Sequence, residues 1–184
     1  MTKAVIVKTA RMLGDNLFGC MASSAQNIPW VSPLPFAVAP NLDIIFLSGK
    51  DTLHSRQIRE NRNCAFTVYD SNGDADHPDW VKISGECFEV PTNLLDAALN
   101  VYYPRRYPDA HQRAEAAQPA EFFTGENRHM RVYRLRPEQI YTMDMIAGEL
   151  DDNRRVRVDR FELREHMFPA HYEEQSMWDA FVKR

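Results

Sequence analysis

The chain has 184 residues, of which 44% are apolar and 26% charged, with a net charge of -4. That length suits one domain with a sizeable core, and the mix is that of an ordinary globular chain. The acidic surplus excludes generic nucleic-acid binding, which needs a basic surface, but leaves room for a local pocket that holds one phosphate.

In chain order, KAVIVKTARML at residues 3–13 reads as a short amphipathic helix, with Gly14 as a C-cap. Small apolar residues at 16–24 suit a first strand. WVSPLPFAV at 30–38 reads as a second. Pro33 and Pro35 cannot donate ladder hydrogen bonds, so this strand belongs at an edge or a bulge, or its unpaired face meets a ligand. IIFLS at 44–48 is a buried strand, and 52–61 a helix capped by Asp51 or Thr52. Residues 63–70 form another strand. Residues 80–90 alternate cleanly, with Gly85 as a candidate bulge. Helix 92–103 starts at Thr92, residues 104–119 are polar and partly helical, and 130–145 is a late strand or strand pair around Pro137. A charged stretch follows Asp151, and a closing helix is expected at 171–182. About six closely connected strands with interspersed helices imply a mainly β fold, a small antiparallel barrel with helical decorations. No linker divides the chain, so 1–184 reads as one domain.

No apolar run is long enough to span a membrane, and no apolar signal core with a small-residue cleavage site follows Lys3 and Lys8. Cys20, Cys64 and Cys87 show no CxxC spacing, and their odd number argues against a disulfide framework. Buried free thiols in a reducing, cytoplasmic setting are expected. His166 and His171 lack the further ligands a metal site needs. YYPRRY at 102–107 is a helix end with snorkelling arginines, or a pocket wall for an anionic substrate.

The most informative stretch is Ile28–Asn61. After two strands, Ser48, Lys50, Thr52, His54 and Ser55 crowd a helix start. A helix N-terminus offers unpaired amides and a partial positive charge, so hydroxyls and cations there suit a phosphate.

The ordered set Pro29-Trp30-Val31-Ser32-Pro33, Phe46-Leu47-Ser48 and His54 to Asn61 resembles the FMN-binding split barrels related to pyridoxamine 5'-phosphate oxidase. The strand at 64–69, WVKISGECFEV and YRLRPEQIY fit the same order, over roughly residues 5–145. The resemblance implies a six-stranded antiparallel split barrel, a homodimer with FMN at the interface and a small-molecule substrate, with an extension from about residue 146. It places Trp30, Val31, Ser32 and Pro33 along the flavin ring, and Leu47 and Ser48 near the ring or ribityl chain. Lys50, His54 and Ser55 would lie near the phosphate, and Trp80, from either chain, against the ring. Leu53-His54 stands where the family's oxidases carry an Arg-Lys pair, Trp80 where they carry a glutamine, and Met143 near their late tryptophan. Their R-L-H-D-R motif has only a superficial echo in Asn153-Arg154-Arg155-Val156-Arg157. The resemblance therefore implies an FMN-dependent oxidoreductase other than a vitamin B6 oxidase. The alternatives are a non-catalytic flavin-binding or stress-associated module, and a relative that uses deazaflavin or haem.

Overall fold

The computed structural model describes residues 2–72, 79–126, 128–143 and 155–169. One antiparallel sheet organises them. Its strands are β1 (Phe18–Ala25), β2 (Ile28–Pro35), β3 (Ala37–Val38), β4 (Ile44–Gly49), β5 (Asn63–Tyr69), β6 (Trp80–Glu89), β7 (Met130–Met143) and β8 (Arg155–Arg157). The order across the sheet is β2-β1-β5-β6-β7-β4-β3, with β8 paired to the end of β7. The six longer strands match the expected six. The other two are a two-residue strand and a three-residue strand.

The extra strand β3 has a clear cause. The expected strand 30–38 breaks at Phe36, which is 1% exposed and whose amide donates to the Leu17 carbonyl. Before Phe36 the chain pairs with β1, and after it with β4. Consecutive residues thus sit on the two opposite edges of one sheet. The sheet must curl to bring those edges together, which makes a barrel with an open seam between β2 and β4. Pro29, Pro33 and Pro35 all lie on β2, an edge strand, where a missing donor costs least.

The interior is filled by the inward set of the alternating strands, including Met21, Phe66, Val81, Ile83 and Ile140. One end is closed by α1 (Lys3–Asp15) and α5 (Arg160–Met167), which contribute Ile6, Leu13 and Leu163. A second cluster forms on the opposite face of β4 and β7, where Ile45 and Val132 meet Leu95, Ala98 and Leu99 of α3 (Leu95–Arg106). With both faces covered, β4 reads as a continuous apolar run rather than an alternating one.

The β6–β7 register shifts between Ser84 and Gly85, as the glycine suggested. A Cβ on Gly85 would lie 2.0 Å from the Arg136 carbonyl oxygen, so only glycine allows this approach. Several boundaries differ from expectation. Helix α1 runs through Gly14 and ends at Asp15. Thr92 opens a 3-10 turn, Thr92–Leu94, instead of capping the helix. Helix α3 continues over Pro104, two residues before its end; the expected stop there was wrong by one partial turn. Residues 104–119 contain one further helix, α4 (Ala110–Ala116). Cys64 and Cys87 are buried as expected, but Cys20 is only half-buried, because it faces outward on β1. The expected helix 171–182 lies outside the described residues.

Candidate functional site

Helix α2 (Leu53–Glu60) plugs the seam. Thr52 caps it, accepting from the Ser55 amide, as the loop's hydroxyl content suggested. Gln57 grips the sheet twice: its side-chain oxygen accepts from Ser23 Oγ at 2.6 Å, and its Nε2 donates to the Ile28 carbonyl at 2.7 Å. Asn61 Nδ2 donates to the Ser24 carbonyl at 2.9 Å. These bonds hold α2 against β1 and the start of β2.

That placement drives His54 into the barrel wall, 6% exposed. Its Nδ1 lies 2.9 Å from Ser32 Oγ on β2. Its Nε2 lies 2.7 Å from Ser48 Oγ on β4 and 3.1 Å from Thr52 Oγ1. One imidazole therefore bridges the two strands that no ladder joins. Burial pushes its pKa below the ordinary histidine value, so it is neutral at neutral pH. Thr52 Oγ1 also lies 2.8 Å from Ser55 Oγ and 3.0 Å from the Gly49 carbonyl. Four hydroxyls and one imidazole thus share a network that contains no carboxylate. The amides of Leu53 and His54, in the first turn of α2, take no hydrogen bond among the described residues.

Ser32, Ser48, Thr52, His54 and Ser55, singled out in the sequence, are thus brought together in one cluster. The others are distributed around it. Lys50 sits one turn away, its ammonium on the Glu126 carbonyl. Leu47 faces the second apolar cluster, on the other side of β4 from Ser48. Trp30 is 46% exposed beside the start of β2, on the face that carries Ser32. Val31 and Pro33 point the other way, to the outer face. Trp80 is not brought to the cluster within the chain. It pairs with Tyr69 at the far end of the sheet and alternates with Val81 and Ile83, so it faces outward, with Lys82 Nζ 4.2 Å from its ring centroid.

Among the described residues, nothing packs across the outer face of β2, β1 and β5. Phe18 is 54% exposed, Val31 59% and Tyr69 52%, around the small side chains of Cys20, Ala22 and Ala65. A groove of about 420 Å³ runs along it past Ser24, Asn63 and Ser84. The YYPRRY segment is mainly structural. Tyr102 and Tyr103 are buried, the former with its pKa pushed up to about 12 by burial. Arg105 donates to the Asn16 carbonyl at 2.8 Å. Arg106 lies over the Phe18 and Tyr107 rings. The Arg155–Arg157 strand is an edge with both arginines exposed.

A second buried polar pair lies on the other side of β4 and β7. Asp43 is 1% exposed and receives Arg134 Nη1 at 3.2 Å, across 91 positions of sequence. Burial outweighs the arginine's pull and raises the Asp43 pKa, and it lowers that of Arg134.

The profile of the family described as pyridoxamine 5'-phosphate oxidase matches residues 8–144. The chain belongs to this family. Solved structures agree on the oxidase-like split barrel. A protein of unknown function from Agrobacterium tumefaciens matches with TM-score 0.58 and 17% identity over 86% of this chain. A heme binding protein from Mycobacterium smegmatis matches at 0.61 and 13% over 89%. The chain spans 63% and 62% of the lengths of those two proteins. A FAD-binding protein from Mesorhizobium loti matches at 0.53 and 16%, over 73% of this chain and 88% of its own. No curated protein matches the sequence. The split-barrel family thus includes proteins described as binding flavin or haem. Among the described residues, no helix is long and apolar enough to cross a membrane.

Proposed function

We propose that this chain is an FMN-binding flavoprotein that works as a homodimer and acts as an oxidoreductase on a small molecule. The observation that carries this reading is the start of α2. There two unpaired amides and a nest of hydroxyls stand at the positions that match the family's phosphate loop. Such an arrangement suits a phosphate monoester without a cage of cations. The edge of β2 supports the rest. Its outward backbone groups pair with no strand, which leaves N–H and C=O groups from Trp30 to Ser32 for the polar rim of a flat ring. Trp30 offers a half-exposed aromatic face beside them. The uncovered outer face, with Val31, Phe18 and Tyr69, is the surface a second copy would bury. That copy would also bring its Trp80 from a position the chain's own cannot reach.

In this reading Thr52, Ser55 and the α2 amides bind the phosphate, and the β2 backbone orients the ring. The partner's sheet excludes water. The flavin supplies the two-electron chemistry when bound, which is why no side-chain acid–base pair is needed. Arg106, over the Phe18 ring at the edge of the outer face, is a cation available to an anionic substrate.

The test is the absorption spectrum of purified protein, as isolated and after FMN addition and desalting, with its sedimentation mass. A retained flavin spectrum and a two-chain mass support the reading. A haem-type spectrum, or one that FMN cannot change, refutes the cofactor, and a one-chain mass refutes the dimer. NADH- or NADPH-driven flavin reduction then separates an oxidoreductase from a module that only holds the cofactor.

A further inference from the structure

Resting on the phosphate site just proposed, one residue has a more specific role. We infer that His54 is a proton-coupled latch, neutral when the site is empty and protonated when a phosphate monoester dianion docks at the start of α2. Cofactor binding is then accompanied by proton uptake.

His54 is the second residue of α2, so its ring lies at the positive end of the helix, where a cation is disfavoured. It is 6% exposed, and its three ring partners are the hydroxyls of Ser32, Ser48 and Thr52, which carry no charge. Nothing in that shell compensates an imidazolium. The charged groups on surrounding elements do not supply the missing anion. In the preceding loop Asp51 is exposed and makes no contact with the imidazole, Lys50 rests on the Glu126 carbonyl, and Arg59 donates to the Lys50 carbonyl at 2.8 Å. On β7, Arg131 is bound to Glu89 at 2.8 Å, and Arg136 to Glu86 of β6. The face of β1 and β2 that carries Ser23 and Ser32 has no charged residue. Burial lowers the imidazole's pKa in the same direction.

A dianion at the two unpaired α2 amides supplies the missing counter-charge and offsets the positive field of the helix end, against a burial that persists. The bound-state pKa of His54 therefore lies above the empty-state one. Between the two values, binding strengthens as pH falls; below both and above both, this coupling adds no slope. A histidine here gives conditional charge where an Arg-Lys pair would give it permanently. Protonation also changes the seam: both ring nitrogens become donors, so Ser32 and Ser48 must both accept. Binding and the closure of β2 onto β4 are thereby linked.

The experiment is calorimetric titration of the full chain with FMN and, separately, with riboflavin, which lacks the phosphate. It is run in buffers of different ionisation enthalpy from pH 5.5 to 8, on the native protein and His54→Gln. The expected result is a proton uptake with FMN that exceeds that of His54→Gln by up to one proton, with no such excess for riboflavin. The variant comparison cancels the phosphate's own titration near pH 6. His54→Gln should also weaken FMN roughly tenfold at pH 6 and less at pH 8. Equal proton counts in the two proteins would overturn the inference and leave the flavin reading standing. Failure of FMN to bind would remove both. Should His54→Gln not fold, histidine NMR titration of the native empty protein decides: an imidazole already charged at pH 7 sinks the latch.

Discussion

Two buried polar sites flank β4, and they solve the burial of polar groups in opposite ways. Near its start, Asp43 and Arg134 are both charged groups that cancel each other. Near its end, Ser48 and His54 belong to a cluster that is neutral throughout. The first arrangement answers its buried carboxylate with a cation from the same chain. The second is satisfied as it stands, yet it has no anion and sits at a helix end that favours one. Compensation within the chain makes a brace; neutrality at a polarised position makes a receptor. The contrast predicts where perturbation costs stability and where it costs binding.

The largest effect is expected from Asp43→Ala, which strands a buried guanidinium. Removing one partner of such a pair typically costs about 3–5 kcal/mol, readable in urea unfolding. A loss below about 1 kcal/mol would mean that Arg134 finds another partner readily and that the brace is not one. Ser48→Ala removes one hydroxyl from an imidazole that keeps Ser32 and Thr52. A cost of about 1 kcal/mol is expected, together with weaker FMN binding. A stability loss as large as that of Asp43→Ala would erase the distinction between the sites.

The smallest and most diagnostic effect is the pH slope. His54 has a folded pKa below its unfolded value of about 6.5. Its unfolded form binds more protons in that window, so stability falls as pH drops through it. Asp43 has a folded pKa above its unfolded value, so its contribution declines as pH rises through its own, more acidic window. Unfolding curves at a series of pH values should show the first slope flattened in His54→Gln and retained in Asp43→Asn. Retention of the slope in His54→Gln would assign it to another group.

Much of the frame was legible because its signals are local. Alternation in 80–90, the apolar run at 44–48 and the cap at Thr52 each need only a few neighbouring residues to be read. The prolines of β2 declared an edge, and Gly85 a bulge, through what their backbones cannot or must do. The rest depended on contacts between distant positions. Nothing local distinguishes Arg134 from the other arginines of the same strand, because its partner lies 91 residues away. Gln57 looked like any polar helix residue until its helix met β1. The break at Phe36 follows from sheet curvature rather than from any turn residue. Helix α3 runs over Pro104 because the ring falls in its last turn, where packing of Tyr102 and Tyr103 outweighs one lost bond. Within the site, the hydroxyls and His54 were visible as a cluster; that the imidazole would be buried and uncharged was not.

The turn at Phe36 also limits how the barrel can move. Because β2 and β3 are joined there without a loop, the seam is welded at that end, like the spine of a book. Any opening must begin at the other end, around Ile28, where Gln57 holds the backbone at 2.7 Å. The end away from the weld is therefore held by one clasp, and that clasp belongs to the same helix that carries His54.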